Sequence, residues 1–138
     1  MTTSVTLEDG RILGATNGAF DTLMALVAAE LERRPGALPG LSEWLLNQRC
    51  VVQGPGVGYL DMRDLSPTAV HEFKAAFASG LDKTPPSEIP DPLRATFELL
   101  LRMWESIQRG EPPEALTSDH WKMAPWNGER RGPGWQTT

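Results

Sequence analysis

The chain has 138 residues, of which 40% are hydrophobic and 22% charged, and its formal net charge is −5. These values are typical of one folded domain with a hydrophobic core, and they exclude disorder of the whole chain. Residues 61–120 hold eleven acidic and six basic side chains. This balance argues against nucleic acid as a direct ligand, because phosphate binding needs clustered Lys and Arg.

The N-terminal half is predicted to begin with a β-hairpin over residues 4–13, because weakly alternating apolar residues surround an Asp-Gly turn. A helix follows, since apolar residues recur at spacings of three and four over residues 20–31. Residues 16–18 are suited to cap its start, and a Pro-Gly pair ends it.

The next segment predicts a short second helix over residues 39–48, with an extended, buried piece or strand at Cys50-Val51-Val52. The glycine-rich residues 54–58 resemble a phosphate-binding loop only superficially. They lack the Gly-Lys-Ser/Thr ending, and a strand is expected to follow them where phosphate binding needs a helix. A plain turn is the interpretation we favour.

Residues 58–80 read as a short strand that runs into a well-started helix. Ser66 is placed to cap that helix with its hydroxyl, and Pro67 suits the first helical position because it has no amide hydrogen to leave unpaired. The side chains of Val70, Phe73 and Phe77 share one face, and Gly80 is well placed to end the helix.

A fourth helix is predicted to start at Asp91-Pro92, with an apolar stripe that extends to Ile107. The sequence therefore predicts an α+β fold with about four helices packed on a small antiparallel sheet. Residues 1–119 are expected to form one globular domain, and residues 120–138 a C-terminal tail rich in Trp, Pro and Gly. Beyond residue 111 we expect no regular structure except one short turn near residues 114–116.

Both the single cysteine and the apolar stretches point to a cytoplasmic protein. One cysteine, Cys50, forms no internal disulfide and no cysteine-based zinc site. The N-terminus lacks a basic region followed by an apolar run, so no signal peptide is expected. The longest apolar stretch, residues 23–29, is shorter than the roughly 20 residues that cross a bilayer.

No residue pattern predicts a catalytic or cofactor site. Cys50 is expected to be buried beside two valines, which makes a thiol inert. His71 and His120 are isolated; a Ser-Asp-His run in sequence does not place three side chains together as a catalytic triad requires. Asp61 and Asp64 are three residues apart, which in a strand places them on opposite faces.

The C-terminal tail carries three of the five tryptophans within sixteen residues. Tryptophan and arginine are frequent at the energetic centres of protein interfaces. The tail is therefore a candidate contact segment, although for Trp121 and Trp126 we favour packing back onto the body as a lid.

Two segments, residues 41–49 (LSEWLLNQR) and residues 58–67 (GYLDMRDLSP), together with the glycine loop between them, resemble the layout of bacterial immunity proteins. These are encoded beside polymorphic or secretion-system toxins. The resemblance covers roughly residues 12–80 and implies a single-domain cytoplasmic inhibitor that binds one cognate toxin domain and occludes its active site. It implies no catalytic residues, no cofactor and no metal, and charge complementarity would speed association with a basic toxin.

The partner contacts that we predict are of two kinds. Three are acidic side chains expected to be exposed, Asp61, Asp64 and Glu72, and three lie in the tail, Trp126, Arg130 and Trp135. Two other functions stay open. One is an enzyme or small-molecule-binding protein whose pocket is assembled from residues distant in sequence, and the other is an adaptor subunit that docks through the tail.

Overall fold

The computed structural model describes residues 2–34, 36, 38–54, 58–111 and 121–123. Within these residues the fold is α+β, as the sequence predicts. In chain order the elements are β1 (Thr2–Thr6), β2 (Arg11–Thr16), α1 (Asn17–Arg33), α2 (Leu41–Leu46), α3 (Cys50–Gln53), β3 (Tyr59–Asp61), a 3-10 turn (Met62–Asp64), α4 (Pro67–Lys83), a second 3-10 turn (Pro86–Glu88), α5 (Asp91–Gln108) and β4 (Trp121–Met123).

The strands form one mixed sheet in the order β3-β1-β2-β4. The predicted hairpin is confirmed, since β1 and β2 pair antiparallel, and β4 pairs antiparallel with the other edge of β2. The prediction of a wholly antiparallel sheet is wrong at β3, which pairs parallel with β1. The chain reaches β3 only after α1, α2 and α3, and a long helical crossover of this kind is the connection that parallel strands need.

The core lies between one face of the sheet and the helices. Leu60, Val5 and Leu13 occupy one row across β3, β1 and β2, and each is at most 1% exposed. They belong to the same buried cluster as the apolar faces of α1, α4 and α5. Burial alternates along β2, which is the pattern of a strand with one covered face.

The predicted caps of α1 and α4 agree with the structure. The Thr16 hydroxyl accepts from the Ala19 amide at 3.2 Å at the start of α1. The Ser66 hydroxyl likewise accepts from the Ala69 amide at 3.1 Å at the start of α4, with a proline directly after the cap. Both caps satisfy amides that no helical carbonyl can reach.

Helix α4 does not end at Gly80 as predicted but continues to Lys83. A Cβ atom at Gly80 would lie 3.0 Å from Cδ2 of Leu26 on α1. The glycine therefore lets α1 and α4 approach closely, and this packing explains why it is tolerated inside the helix despite its low helical propensity.

An aromatic cluster joins α5 to α4. The Phe77 ring contacts Phe97 and Trp104 edge-on at centroid distances of 5.7 and 5.6 Å, and Phe73 contacts Trp104 at 6.0 Å. The indole nitrogen of Trp104 donates to Glu8 in the hairpin turn at 3.2 Å. These contacts confirm the predicted apolar stripe of α5 and anchor the helix to the hairpin.

Two further predictions are wrong. Cys50–Gln53 form the short helix α3 where an extended segment is expected. Trp121–Met123, in the predicted tail, form β4 opposite Arg11–Leu13 where no regular structure is expected. Helix α3 is capped by Asp21 of α1, and β4 pairs with β2, so both elements depend on residues far away in sequence. The predicted turn near residues 114–116 lies outside the described residues.

A substitution of Gly58 tests the contact between the start of β3 and α3. A Cβ atom there would lie 2.6 Å from Sγ of Cys50 and 2.8 Å from Cδ1 of Phe20, both buried. Gly58→Ala should therefore lower the free energy of unfolding by about 1–3 kcal/mol, the usual effect of overpacking. Urea denaturation measures it. Gly14→Ala is the matched control, since nothing lies within 4 Å of its added Cβ; equal losses in both variants would contradict the steric account.

Candidate interaction surface

A shallow groove of about 600 Å³ lies between the first turn of α1 and helix α3. We call it the valine groove. The described residues that line it are Asn17, Gly18, Asp21, Cys50, Val51, Val52, Gln53 and Gly54. Among them Asp21 is the one side chain that carries a full charge at neutral pH.

The valines of α3 point outward. Val51 is 74% exposed and Val52 52% exposed, and together with Tyr59, at 42%, they are the exposed large apolar side chains among the described residues. Cys50 is buried, as predicted. Single exposed apolar residues are ordinary on protein surfaces, and the adjacent pair beside a groove makes this surface the candidate contact site among the described residues.

Asp21 explains why these residues form a helix. Its carboxylate accepts from the Cys50 amide at 2.6 Å and from the Val51 amide at 3.2 Å. Arg49, which precedes the helix, provides no side-chain cap. A carboxylate from α1 thus accepts hydrogen bonds from amide groups at the start of α3 that would otherwise have no acceptor. Its negative charge also interacts favourably with the partial positive charge of these amides.

The predicted contact residue Asp61 is not exposed. Its carboxylate is buried and pairs with the Arg63 guanidinium at 2.7 Å, accepts from the Arg63 amide at 2.9 Å and accepts from the Tyr59 hydroxyl at 3.1 Å. The expectation of an exposed acid at this position is wrong. The strand turns directly into a 3-10 turn at Met62, and this folds Arg63 back over the carboxylate.

The other predicted acids are partly exposed and lie on separate elements. Asp64 ends the 3-10 turn that follows β3. Glu72 lies on α4, with its Oε2 3.7 Å from Nε of Arg34. Trp126, Arg130 and Trp135 lie outside the described residues.

A second polar cluster joins α1 to α4. Glu30 is buried, and its carboxylate accepts from Lys83 at 2.6 Å, from the Ser79 hydroxyl at 2.8 Å and from Arg33 at 3.4 Å. The hydrogen bond from Lys83 is the largest cause, followed by that from Ser79, of a lowered pKa for this carboxyl, and burial acts in the opposite direction. The small depression of about 250 Å³ beside it is lined by residues of this cluster.

Sequence reasoning identified neither Asp21 nor the exposed valines as functional candidates. A Val-Val pair after a cysteine is typical of a buried strand, whereas here the start of a helix is capped by a carboxylate 29 residues earlier in the chain. The one available signal was the acidic residue among the apolar positions of the first helix, which has many ordinary explanations.

Further features of the described residues bear on possible chemistry. Within the described ranges no group of three or more His, Cys, Asp or Glu side chains could hold a metal ion. No helix in those ranges combines the length and apolar character that a membrane span requires. No protein-family model, curated protein or solved structure matches the chain.

Removal of the Asp21 carboxylate should loosen α3. Asp21→Ala leaves two amides without their acceptor, so we expect a loss of about 1–2 kcal/mol, the magnitude of a lost helix cap. Hydrogen exchange should become faster at the Cys50 and Val51 amides in particular. Asp21→Asn keeps one acceptor oxygen and should lose less. Unchanged exchange at both amides in Asp21→Ala would contradict the capping role.

The Glu30 cluster predicts a dependence of stability on pH. Because its folded-state pKa lies below the ordinary value of 4.5, the stabilisation is complete above that value and is lost as the pH falls through the folded-state pKa. The difference in unfolding free energy between the wild type and Glu30→Gln should thus be constant near neutral pH and shrink below about pH 4.5. Urea denaturation across the acidic range measures it, and a difference independent of pH would contradict the assignment.

Proposed function

We propose that the chain is a small cytoplasmic inhibitor that binds one protein partner, a cognate toxin domain, and covers its active surface. The valine groove is the contact site that the geometry supports best. The observation that carries this proposal is the pair of exposed valines on a helix that is fixed in place from α1 by Asp21.

Helix α3 presents two aliphatic side chains to solvent in a fixed position. Burial of an exposed aliphatic side chain by a partner favours binding by about 25 cal/mol for each Å² of apolar surface removed from water. An interface also gains when its residues are ordered before binding, because less conformational entropy is lost. A helix of four residues is too short to be stable alone, and the two hydrogen bonds from Asp21 provide this order.

The remaining contacts follow from the sequence resemblance and charge. Asp64 and Glu72 stay predicted contacts, and so do Trp126, Arg130 and Trp135 in the tail. Asp61 is not included, since its carboxylate is buried against Arg63. The proposed role involves no catalytic step, no cofactor, no nucleic acid and no membrane.

A small-molecule site is the second candidate, and the volume of the valine groove favours it. About 600 Å³ falls within the range of about 300–1,000 Å³ that is common for ligand pockets. The groove is open and shallow, however, whereas such pockets enclose most of their ligand. A small molecule that raises the melting temperature of the protein in a thermal-shift screen, with no protein partner present, would favour this candidate.

Capture of partners from a lysate of the native host tests the inhibitor proposal. The tagged wild type should retain one protein in stoichiometric amount. Val51→Asp with Val52→Asp should release it, because the two added carboxylates would lose their hydration beside Asp21 with no counter-charge of their own. The control is Ala95→Asp on the exposed side of α5, which should retain it. All three forms should unfold at similar urea concentrations.

The captured protein then identifies the function. Expressed alone it should stop growth, and co-expression with the wild type should restore growth, whereas co-expression with the doubly substituted form should not. A captured protein without toxicity would contradict the inhibitor role while leaving protein binding in place. Absence of any stoichiometric partner would contradict both.

A further inference from the structure

We infer that the valine groove receives a lysine or arginine side chain of the partner, with apolar partner residues on either side. This inference rests on the proposed function and specifies the chemistry of its contact site. It follows from the combination of one carboxylate and two exposed valines in the same groove.

The described lining of the groove carries negative charge. Of the described residues that line the groove, Asp21 alone is charged at neutral pH, and no described basic side chain lines it. The nearby Arg49 directs its Nε to the carbonyl oxygen of Leu46 at 2.9 Å. The chain as a whole carries a net charge of −5. A cation is therefore the charged group that the groove complements.

The Asp21 carboxylate has room for a further hydrogen-bond donor. Each carboxylate oxygen accepts one backbone hydrogen bond, Oδ1 from the Cys50 amide and Oδ2 from the Val51 amide. A carboxylate has about four acceptor positions, so the two bonds leave room for a further donor. The bond to the Val51 amide lies at an exposed position, which a partner can approach.

Desolvation of Asp21 determines which partner groups fit the groove. A partner that covers Val51 and Val52 also removes water from Asp21, because all three line one groove. A wholly apolar partner surface would leave that carboxylate with its two amide hydrogen bonds but no counter-charge, which is unfavourable. A lysine or arginine resolves this, since its aliphatic stem packs on the valines while its charged head bonds to the carboxylate.

Measurement of affinity for the captured partner tests the inference. Asp21→Asn removes the charge but keeps an acceptor for the α3 amides, and it should weaken binding at least tenfold. Glu98→Gln, on the exposed side of α5, removes the same charge elsewhere and should stay within twofold of the wild type. The ionic-strength dependence of binding should be smaller for Asp21→Asn than for Glu98→Gln. Equal affinities of both variants would overturn the inference while the proposed function stands.

A second measurement is independent of any change at Asp21. A photo-crosslinking amino acid at position 52 should form an adduct with a partner segment that contains Lys or Arg, as read by mass spectrometry. The same amino acid at position 98 should form none. Adducts from position 52 to segments without a basic residue would overturn the inference. Failure to capture any partner overturns the inference together with the proposed function on which it rests.

Discussion

The packing of α1 is the constraint on which the other elements depend. This helix contacts β1, β2, α2, α3, α4 and α5, and apolar residues from Ala19 to Leu31 provide its buried face. Its contact with α4 is close because Gly80 has no side chain opposite Leu26. The elements that carry no large apolar face of their own, above all α3, acquire their position from this helix.

Two carboxylates on α1 fix the neighbouring helices by different means. Near its N-terminus Asp21 accepts from the amides of α3, whereas near its C-terminus Glu30 accepts from side chains of α4. Each of these carboxylates exchanges bound water for hydrogen bonds from the protein. A carboxylate can be removed from water without a large loss of stability only when such bonds replace its hydration. The same interactions that stabilise the fold also determine what α3 exposes.

The candidate site thus depends on a structural contact. Without the Asp21 carboxylate, the start of α3 would lose the acceptor of its Cys50 and Val51 amides, and the described lining of the groove would carry no charge. This dual role makes Asp21→Asn more informative than Asp21→Ala as a probe of binding, since the amide side chain retains part of the cap. The buried Asp61–Arg63 pair is by contrast a local tie within the turn after β3.

Sequence alone determined the elements whose signals are local. The hairpin turn, the caps at Thr16 and Ser66, and the apolar stripes of α1, α4 and α5 depend on residues close together in the chain, and the structure agrees with each of them. The α+β class followed from these elements. Tertiary structure decided what depends on distant residues: the parallel pairing of β3, the helix at Cys50–Gln53, the continuation of α4 beyond Gly80 and the burial of Asp61. For β3, α3 and α4 a contact between residues distant in sequence outweighs the local preference, whereas Asp61 is buried by the turn that brings Arg63 onto its carboxylate. The surface of α3 therefore had only a weak signature in the sequence.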